Sequence, residues 1–229
     1  MTDSSVPAVP PAEPPPVPVA VRVQILATEH WGLLASRSTA QAEVLTRIAI
    51  YFTLVSAGLV SISLLGQATA YAAPFAPASL AVLGFLWVIG MITQLRVINV
   101  ADEDLMYVLA MNRLRGAYVD IDPGVQKYFF ASIHDDEEGM RQTYAFLRRR
   151  GASQVAGSSM IVIIVVNSAI LGLFVGGLIA TLSGLNAVAI VVGAVVAVAG
   201  VLLFLRLGYR GFRRSLSSYE PLKRTPGAD

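Results

Sequence analysis

Charged residues are absent from two long stretches of the chain and are concentrated in the blocks around them. Residues 48–95 and 151–205 contain no Asp, Glu, Lys or Arg, and all 17 basic and 15 acidic residues lie elsewhere. A helix of about 20 apolar residues crosses a hydrocarbon core of about 30 Å, so each stretch is long enough to cross it twice. The pattern therefore predicts four membrane-spanning helices arranged as two hairpins.

Turn-forming residues divide each uncharged stretch into two spans. Pro74 and Pro77 interrupt the first stretch, and Thr181–Asn186 is a short connection that reverses the second. Lipid offers no hydrogen-bond partner to the backbone, and the spans lack the alternation of a membrane β-barrel, so helices are expected. The predicted fold is an all-α membrane protein with spans at about 48–66, 78–95, 160–180 and 187–205.

The polar segments at the two ends of the chain have distinct compositions. Residues 1–20 hold seven prolines, which favour extended backbone, and we interpret this segment as a disordered tail that acts as a tether. Residues 21–47 repeat apolar positions at helical spacing, which predicts an amphipathic helix at the membrane interface or packed on neighbouring helices. Residues 206–229 form a basic tail.

Residues 96–159, between the hairpins, form a polar loop that is expected to be helical. Apolar residues keep a helical stripe beyond the second span, which should therefore continue as one long helix until Pro123 breaks it. A second helix is predicted from near Ser132, with Asp135 as its capping partner, to Gly151.

Basic residues flank the spans on one side only. The outer turns contain none, whereas Arg47, Arg96 and Arg206 stand at span ends on the opposite side. Under the positive-inside rule the basic side faces the cytoplasm. Both termini and residues 96–150 are therefore expected to be cytoplasmic.

Composition supports a membrane protein and argues against several classes of function. Hydrophobic residues make up 55% of the chain and charged residues 14%, against roughly 25% in a soluble domain. The absence of Cys excludes disulfides and thiolate chemistry. A net charge of only +2 does not favour a nucleic-acid partner, and we predict none.

The cluster His134–Glu138 resembles a metal site, but helix geometry argues against that reading. Neighbouring helix residues point in different directions, and acidic residues in a first turn complement the helix dipole without an ion. We therefore predict no metal and no cofactor. No Asp, Glu, Lys, Arg or His lies inside a span, no nucleotide-binding or hydrolase motif is present, and the two histidines, His30 and His134, are far apart in the sequence. These features predict that the protein is not an enzyme.

Polar and small side chains within the spans are candidates for helix packing or for lining a pore. The candidates are Ser56, Ser61, Asn167, Gly172, Gly176 and Gly193. Polar groups in lipid hydrogen-bond between helices, and glycines four residues apart let helix backbones approach closely. We favour the packing role, and a pore lined by the polar residues of a homo-oligomer is the alternative.

Six arginines near span ends are candidate contacts for anionic lipid headgroups. They are Arg148, Arg149, Arg150, Arg210, Arg213 and Arg214. A basic side chain near such a surface contributes about 1 kcal/mol of binding. The lipid bilayer is therefore an expected partner of these residues.

Two segments beside the first hairpin resemble a group of uncharacterised bacterial integral membrane proteins. They are Thr28–Ser38, with the sequence TEHWGLLASRS, and Glu103–Arg115, and the likeness covers residues 22–205. The resemblance implies a location in the bacterial inner membrane and brings no catalytic or binding residues with it. The order of helix, tight hairpin and long helix is also similar to two-span effector domains of the SLATT type, which implies a membrane pore, although the second hairpin departs from that type.

These observations favour a non-enzymatic integral membrane protein that scaffolds or senses through residues 96–150, with a cytoplasmic protein as its partner. An oligomeric pore or channel is the alternative hypothesis. A subunit of a small-solute transporter is the third.

Overall fold

The computed structural model describes residues 17–145 and 158–227. Within those ranges the chain is helical and contains no β-strand, which confirms the predicted all-α class. The α-helices there are α1 (Val19–Thr69), α2 (Phe75–Ile121), α3 (Glu137–Ala145), α4 (Ser159–Ser183) and α5 (Asn186–Ser217), and a 3-10 helix spans Pro123–Tyr128. Helices α1, α2, α4 and α5 are each long and apolar enough to cross a membrane.

Helices α1 and α2 are much longer than a membrane is thick. They contain 51 and 47 residues. At 1.5 Å per residue they are about 75 and 70 Å long, against a hydrocarbon core of about 30 Å. The prediction that the second span continues as one long helix is therefore confirmed. Helix α1 likewise joins residues 21–47 to the first predicted span without a break, which favours packing on neighbouring helices over a position in the plane of the interface.

Short turns join the helices at the uncharged end. Ala70, in the left-handed conformation with φ 49°, ends α1, and α2 begins directly after Pro74. This start precedes the predicted one because Pro77 is tolerated in a first turn, where a backbone N–H has no helical partner. Gly184, with φ 69°, ends α4, and only Gly184 and Leu185 connect α4 to α5.

Helix α2 lies at the centre of the helical arrangement. It packs against α1 and against α4, and α5 packs mainly against α4. One hydrophobic core lies among the predicted spans, around Tyr51, Leu86 and Ile163. A second core lies beyond them on the charged side, around Leu109 and Met140. The part of the chain that surrounds this second core is called the head. It comprises residues 19–47, 96–145 and 206–227.

Helix α3 begins at Glu137, later than the predicted start near Ser132. Asp136 caps it by accepting a hydrogen bond from Gly139 N at 2.7 Å. The predicted capping pair of Ser132 and Asp135 is wrong, because Asp135 binds the C-terminal residues of the chain instead.

Three predictions concern residues outside the described ranges. Residues 1–16 of the predicted disordered tail lie outside the described ranges. The last two residues of that predicted tail, Val19 and Ala20, belong to α1. The predicted helix end at Gly151 lies outside the described ranges as well. So do three of the candidate lipid contacts, Arg148, Arg149 and Arg150.

Candidate functional sites in the head and among the spans

The C-terminal residues fold back from α5 onto the segment that precedes α3, where a buried carboxylate holds them. Asp135 is fully buried; its Oδ1 accepts a hydrogen bond from Lys223 N at 2.7 Å, and its Oδ2 accepts one from Leu222 N at 3.0 Å. Asp135 N in turn donates to Lys223 O at 3.1 Å. We call this contact the tail clasp. It comprises Arg113, Asp135, Asp136 and residues 219–225.

Two side chains complete the surroundings of the Asp135 carboxylate. Arg113 Nε donates to Asp135 Oδ2 at 2.7 Å, and Tyr219 Oη donates to the same oxygen at 2.9 Å. Arg113 Nη2 also donates to Glu220 O at 2.9 Å, and its guanidinium carbon lies 5.1 Å from the centre of the Tyr219 ring. Burial alone would raise the pKa of Asp135, but the hydrogen bonds from the tail backbone and from these two side chains outweigh burial and hold the pKa below its usual value.

Asp136 also directs its carboxylate to the C-terminal residues. It accepts hydrogen bonds from Thr225 N and, at 2.8 Å, from Thr225 Oγ1, besides the one from Gly139 N that caps α3. The carboxylate oxygens of Asp135 and Asp136 therefore accept hydrogen bonds from groups of the protein itself. In the part of the chain that the structure describes, no group of three or more His, Asp or Glu side chains is placed to hold a metal ion.

The tail clasp should open in acid. The folded-state pKa values of Asp135 and Asp136 lie below their ordinary value of 3.8, so the clasp contributes stability that is present above that value and is lost as the pH falls through the folded-state values. We expect hydrogen exchange of residues 219–225, corrected for the intrinsic rate at each pH, to stay slow down to about pH 5 and to accelerate below about pH 4. Acceleration already near neutral pH would show that groups other than these carboxylates hold the tail.

A second carboxylate, Asp104, joins three helices in the head. Arg37 of α1 donates to both of its oxygens, from Nε at 2.6 Å and from Nη2 at 3.2 Å. Gln41 Nε2 of α1 donates to Oδ1 at 2.7 Å, and Tyr144 Oη of α3 donates to Oδ2 at 2.6 Å. Burial would raise the pKa of Asp104, but these donors outweigh burial and lower it. Because Asp104 belongs to α2, the cluster links α1, α2 and α3.

A cavity of about 380 Å³ opens beside this cluster, and we call it the Arg115 cavity. Arg37 and Arg115 contribute polar side chains to its wall, and Phe129 and Phe130 contribute aromatic ones. Arg115 Nη1 donates a hydrogen bond to Asn112 Oδ1 at 2.8 Å. The volume lies within the range of small-molecule sites, roughly 300–1,000 Å³.

A buried polar cluster lies among the predicted spans. Tyr51 Oη of α1 donates to Asn167 Oδ1 of α4 at 3.3 Å, and Asn167 Nδ2 donates to Gln94 Oε1 of α2 at 3.0 Å. All three side chains are buried. Gly90 leaves room for them, since a Cβ at that position would lie 2.5 Å from Tyr51 Oη. The sequence identified Asn167 as a candidate but not Tyr51 or Gln94. Both of these residues are uncharged and lie near span ends, so the distribution of charged residues does not reveal them.

The structure separates the other candidates within the spans into two groups. Gly172 and Gly176 of α4 face Gly193 of α5 so closely that a Cβ on Gly193 would lie 2.7 Å from Gly172 O. Ser56 and Ser61 lie on the exposed side of α1, and their hydroxyls donate to carbonyls of the same helix at 2.9 and 2.8 Å. The glycines are therefore at the α4–α5 contact, and the serines lie apart from the buried polar cluster.

Three of the candidate lipid-contacting arginines lie near the end of α5. Arg210 is exposed, and Arg213 and Arg214 line a groove of about 890 Å³ between α3, α5 and the C-terminal residues. Glu137 and Glu138 line the same groove. Arg213 and Arg214 therefore share their surroundings with carboxylates of the head.

No family model, no curated protein and no solved structure matches the chain.

Proposed function

We propose that this chain is a non-enzymatic integral membrane protein that acts as a sensor or scaffold through its head. The tail clasp carries the proposal, because the buried Asp135 binds backbone groups that lie 87 and 88 positions further along the chain. Residues that precede and follow the last two predicted spans are thereby joined around a hydrophobic core of their own. A folded head of this kind can present a fixed surface to a partner and can respond to a ligand.

Helix continuity supports a signalling role for the head. Helices α1, α2 and α5 each run from a predicted span into the head without a break. Asp104 fastens α1 to α2, and the tail clasp fastens Arg113 of α2 to the residues that directly follow α5. Rigid secondary elements can carry a displacement from one site to another, so a change in the head would reach the ends of three spans. This arrangement favours a sensor over a passive anchor.

We further propose that the spans form two hairpins in a bacterial inner membrane, with the head and both termini in the cytoplasm. The support is the charge distribution: the connections at residues 70–74 and 184–185 are uncharged, whereas every charged residue of the described chain belongs to the head. Basic residues are retained on the cytoplasmic side of a membrane.

Exposed aromatic side chains give the head a surface suited to a protein partner. Phe130 is 87% exposed, and Tyr128 and Trp31 are also largely exposed. Aromatic residues are enriched at protein interfaces and contribute strongly to binding. The partner we propose is a cytoplasmic protein that contacts this surface.

Photo-crosslinking in the cells that naturally produce the chain tests this function. A benzophenone amino acid at position 130 should form a discrete protein adduct, and one at Leu202, an exposed residue of the predicted fourth span, should not. The adduct should weaken when Asp135→Asn opens the tail clasp. The proposal fails if positions 130, 128 and 31 all give no protein adduct beyond those obtained at Leu202.

A further inference from the structure

The Arg115 cavity holds more positive charge than its surroundings neutralise. Asp104 pairs with Arg37 through two hydrogen bonds, which accounts for the charge of Arg37. Arg115 has a neutral acceptor, the amide oxygen of Asn112, and no described Asp or Glu pairs with it. Residues 146–157, which directly follow α3, contain no acidic residue. One guanidinium charge at this cavity therefore lacks an acidic partner in the described chain.

The environment of Arg115 makes a solitary charge unfavourable. Burial and the positive charge of Arg37 lower the pKa of Arg115 from its ordinary value. Burial and Arg115 in turn lower the pKa of His30, which offers no negative charge. A guanidinium carries five N–H donors in a planar fork that matches a carboxylate, and only Nη1 of Arg115 has a described acceptor. An anion bound in the cavity would relieve this imbalance.

The remaining wall of the cavity is largely apolar and aromatic. Tyr128, Phe129 and Phe130 come from the segment that follows α2, and Val108 and Met111 come from α2 itself. A ring as exposed as that of Phe130 is free to contact a ligand. Aromatic rings pack well against flat unsaturated groups, in offset or edge-to-face arrangements.

We propose that the Arg115 cavity binds a small organic anion with one carboxylate and a flat, unsaturated body, of the aromatic carboxylate class. Arg115 binds the carboxylate through charge-assisted hydrogen bonds, and Phe129 and Phe130 pack against the body. A single uncompensated cation among the described residues favours a monoanion over a polyphosphate, whose further charges would find no counterion in the described wall of the cavity. The proposal rests on the sensor function proposed above and names the class of ligand that the head senses.

Two matched probes test the charge requirement with the full chain in nanodiscs of zwitterionic lipid. 2-Naphthoate and 2-naphthamide share a flat body and differ in charge. Saturation-transfer NMR and calorimetry should show saturable binding of 2-naphthoate that is about tenfold or more tighter than binding of 2-naphthamide, with no binding to empty nanodiscs. Absence of saturable 2-naphthoate binding, or equal affinity for the two probes, would overturn the proposal.

Substitutions in and outside the cavity test the location. Arg115→Gln should weaken 2-naphthoate binding about tenfold or more, so that 2-naphthoate no longer binds more tightly than 2-naphthamide. Phe130→Ala should weaken the binding of both probes. Arg22→Gln removes the same charge from an exposed position outside the cavity and should leave the affinities for 2-naphthoate and 2-naphthamide unchanged. Thermal unfolding establishes that each variant is folded, and Arg115→Lys, which keeps the charge, should retain the preference for the anion if Arg115→Gln does not fold. Equal losses for Arg115→Gln and Arg22→Gln would show a general charge effect and overturn the assignment.

Different experimental results would overturn the proposed ligand class and the proposed function. If 2-naphthoate does not bind while position 130 still forms its specific protein adduct, the ligand class is wrong and the scaffold function stands. If 2-naphthoate binds and depends on Arg115 while no head-specific adduct forms, the protein partner is wrong and the ligand site stands.

Discussion

Asp135→Asn should release the C-terminal residues from the head and lower the free energy of unfolding by about 3 kcal/mol. Asp135 Oδ2 accepts hydrogen bonds from Arg113 Nε, Tyr219 Oη and Leu222 N, and Oδ1 accepts one from Lys223 N. An Asn side chain has a single acceptor oxygen, so its NH₂ group must face at least one of these donors whichever way the amide is turned. The substitution also leaves Arg113 without its buried counterion, a loss of roughly 3–5 kcal/mol, and we expect the low end because Arg113 is partly exposed.

Hydrogen exchange of residues 219–225 is the direct readout of this release. A loss of about 3 kcal/mol corresponds to exchange about a hundredfold faster. Asp120→Asn is the matched control, since Asp120 pairs with Lys223 Nζ at 2.6 Å but is well exposed. An exposed ion pair contributes about 0–1 kcal/mol, so exchange in this variant should change little. Similar exchange rates in the two variants would show that the buried carboxylate does not hold the tail.

Local patterns along the chain predicted the helices because each span carries its own signal. A charge-free run of about 20 residues is a property of the segment itself, and Pro123 ends α2 through its own ring. The tail clasp has no such local signal. The role of Asp135 depends on Tyr219 and Lys223, which lie 84 and 88 positions away, and two of the four hydrogen bonds to its carboxylate come from backbone N–H groups, which every residue type except proline provides.

The Arg115 cavity illustrates the same limit for a candidate site. Arg115 lies in the segment 96–150, which is rich in both acidic and basic residues, so the sequence shows no shortage of counterions near it. Only the fold assigns Asp104 to Arg37 and Asp135 to Arg113, which leaves Arg115 with the amide of Asn112. The net charge at a site thus depends on which acidic side chain pairs with which basic side chain in the folded protein.

The contact between α4 and α5 should be the part of the spans most sensitive to added volume, and Gly193→Leu should lower the free energy of unfolding by about 3 kcal/mol. A Cβ at position 193 would lie 2.7 Å from Gly172 O and 3.3 Å from Gly176 Cα. Both neighbours are main-chain atoms of a helix and cannot move aside as a flexible side chain would. Because small residues let membrane helices approach closely, a leucine here must separate α4 from α5 and weaken packing along their length.

Reversible unfolding in mixed micelles measures this effect, and Gly32→Leu is the control. Gly32 lies in the interior of α1, where a Cβ would have no atom within 4 Å apart from its immediate chain neighbours and the nearby backbone of its own helix, so the same substitution there adds no crowding. Leucine has a better helix propensity than glycine, so Gly32→Leu should be neutral or stabilise by a few tenths of a kcal/mol, up to about 1 kcal/mol. Gly193→Ala should fall between the two, because even a single methyl group meets Gly172 O. If Gly193→Leu changes the free energy of unfolding as little as Gly32→Leu does, the glycine faces of α4 and α5 do not form the contact that the structure shows. In that case Ala and Leu at position 193 would give the same free energy of unfolding.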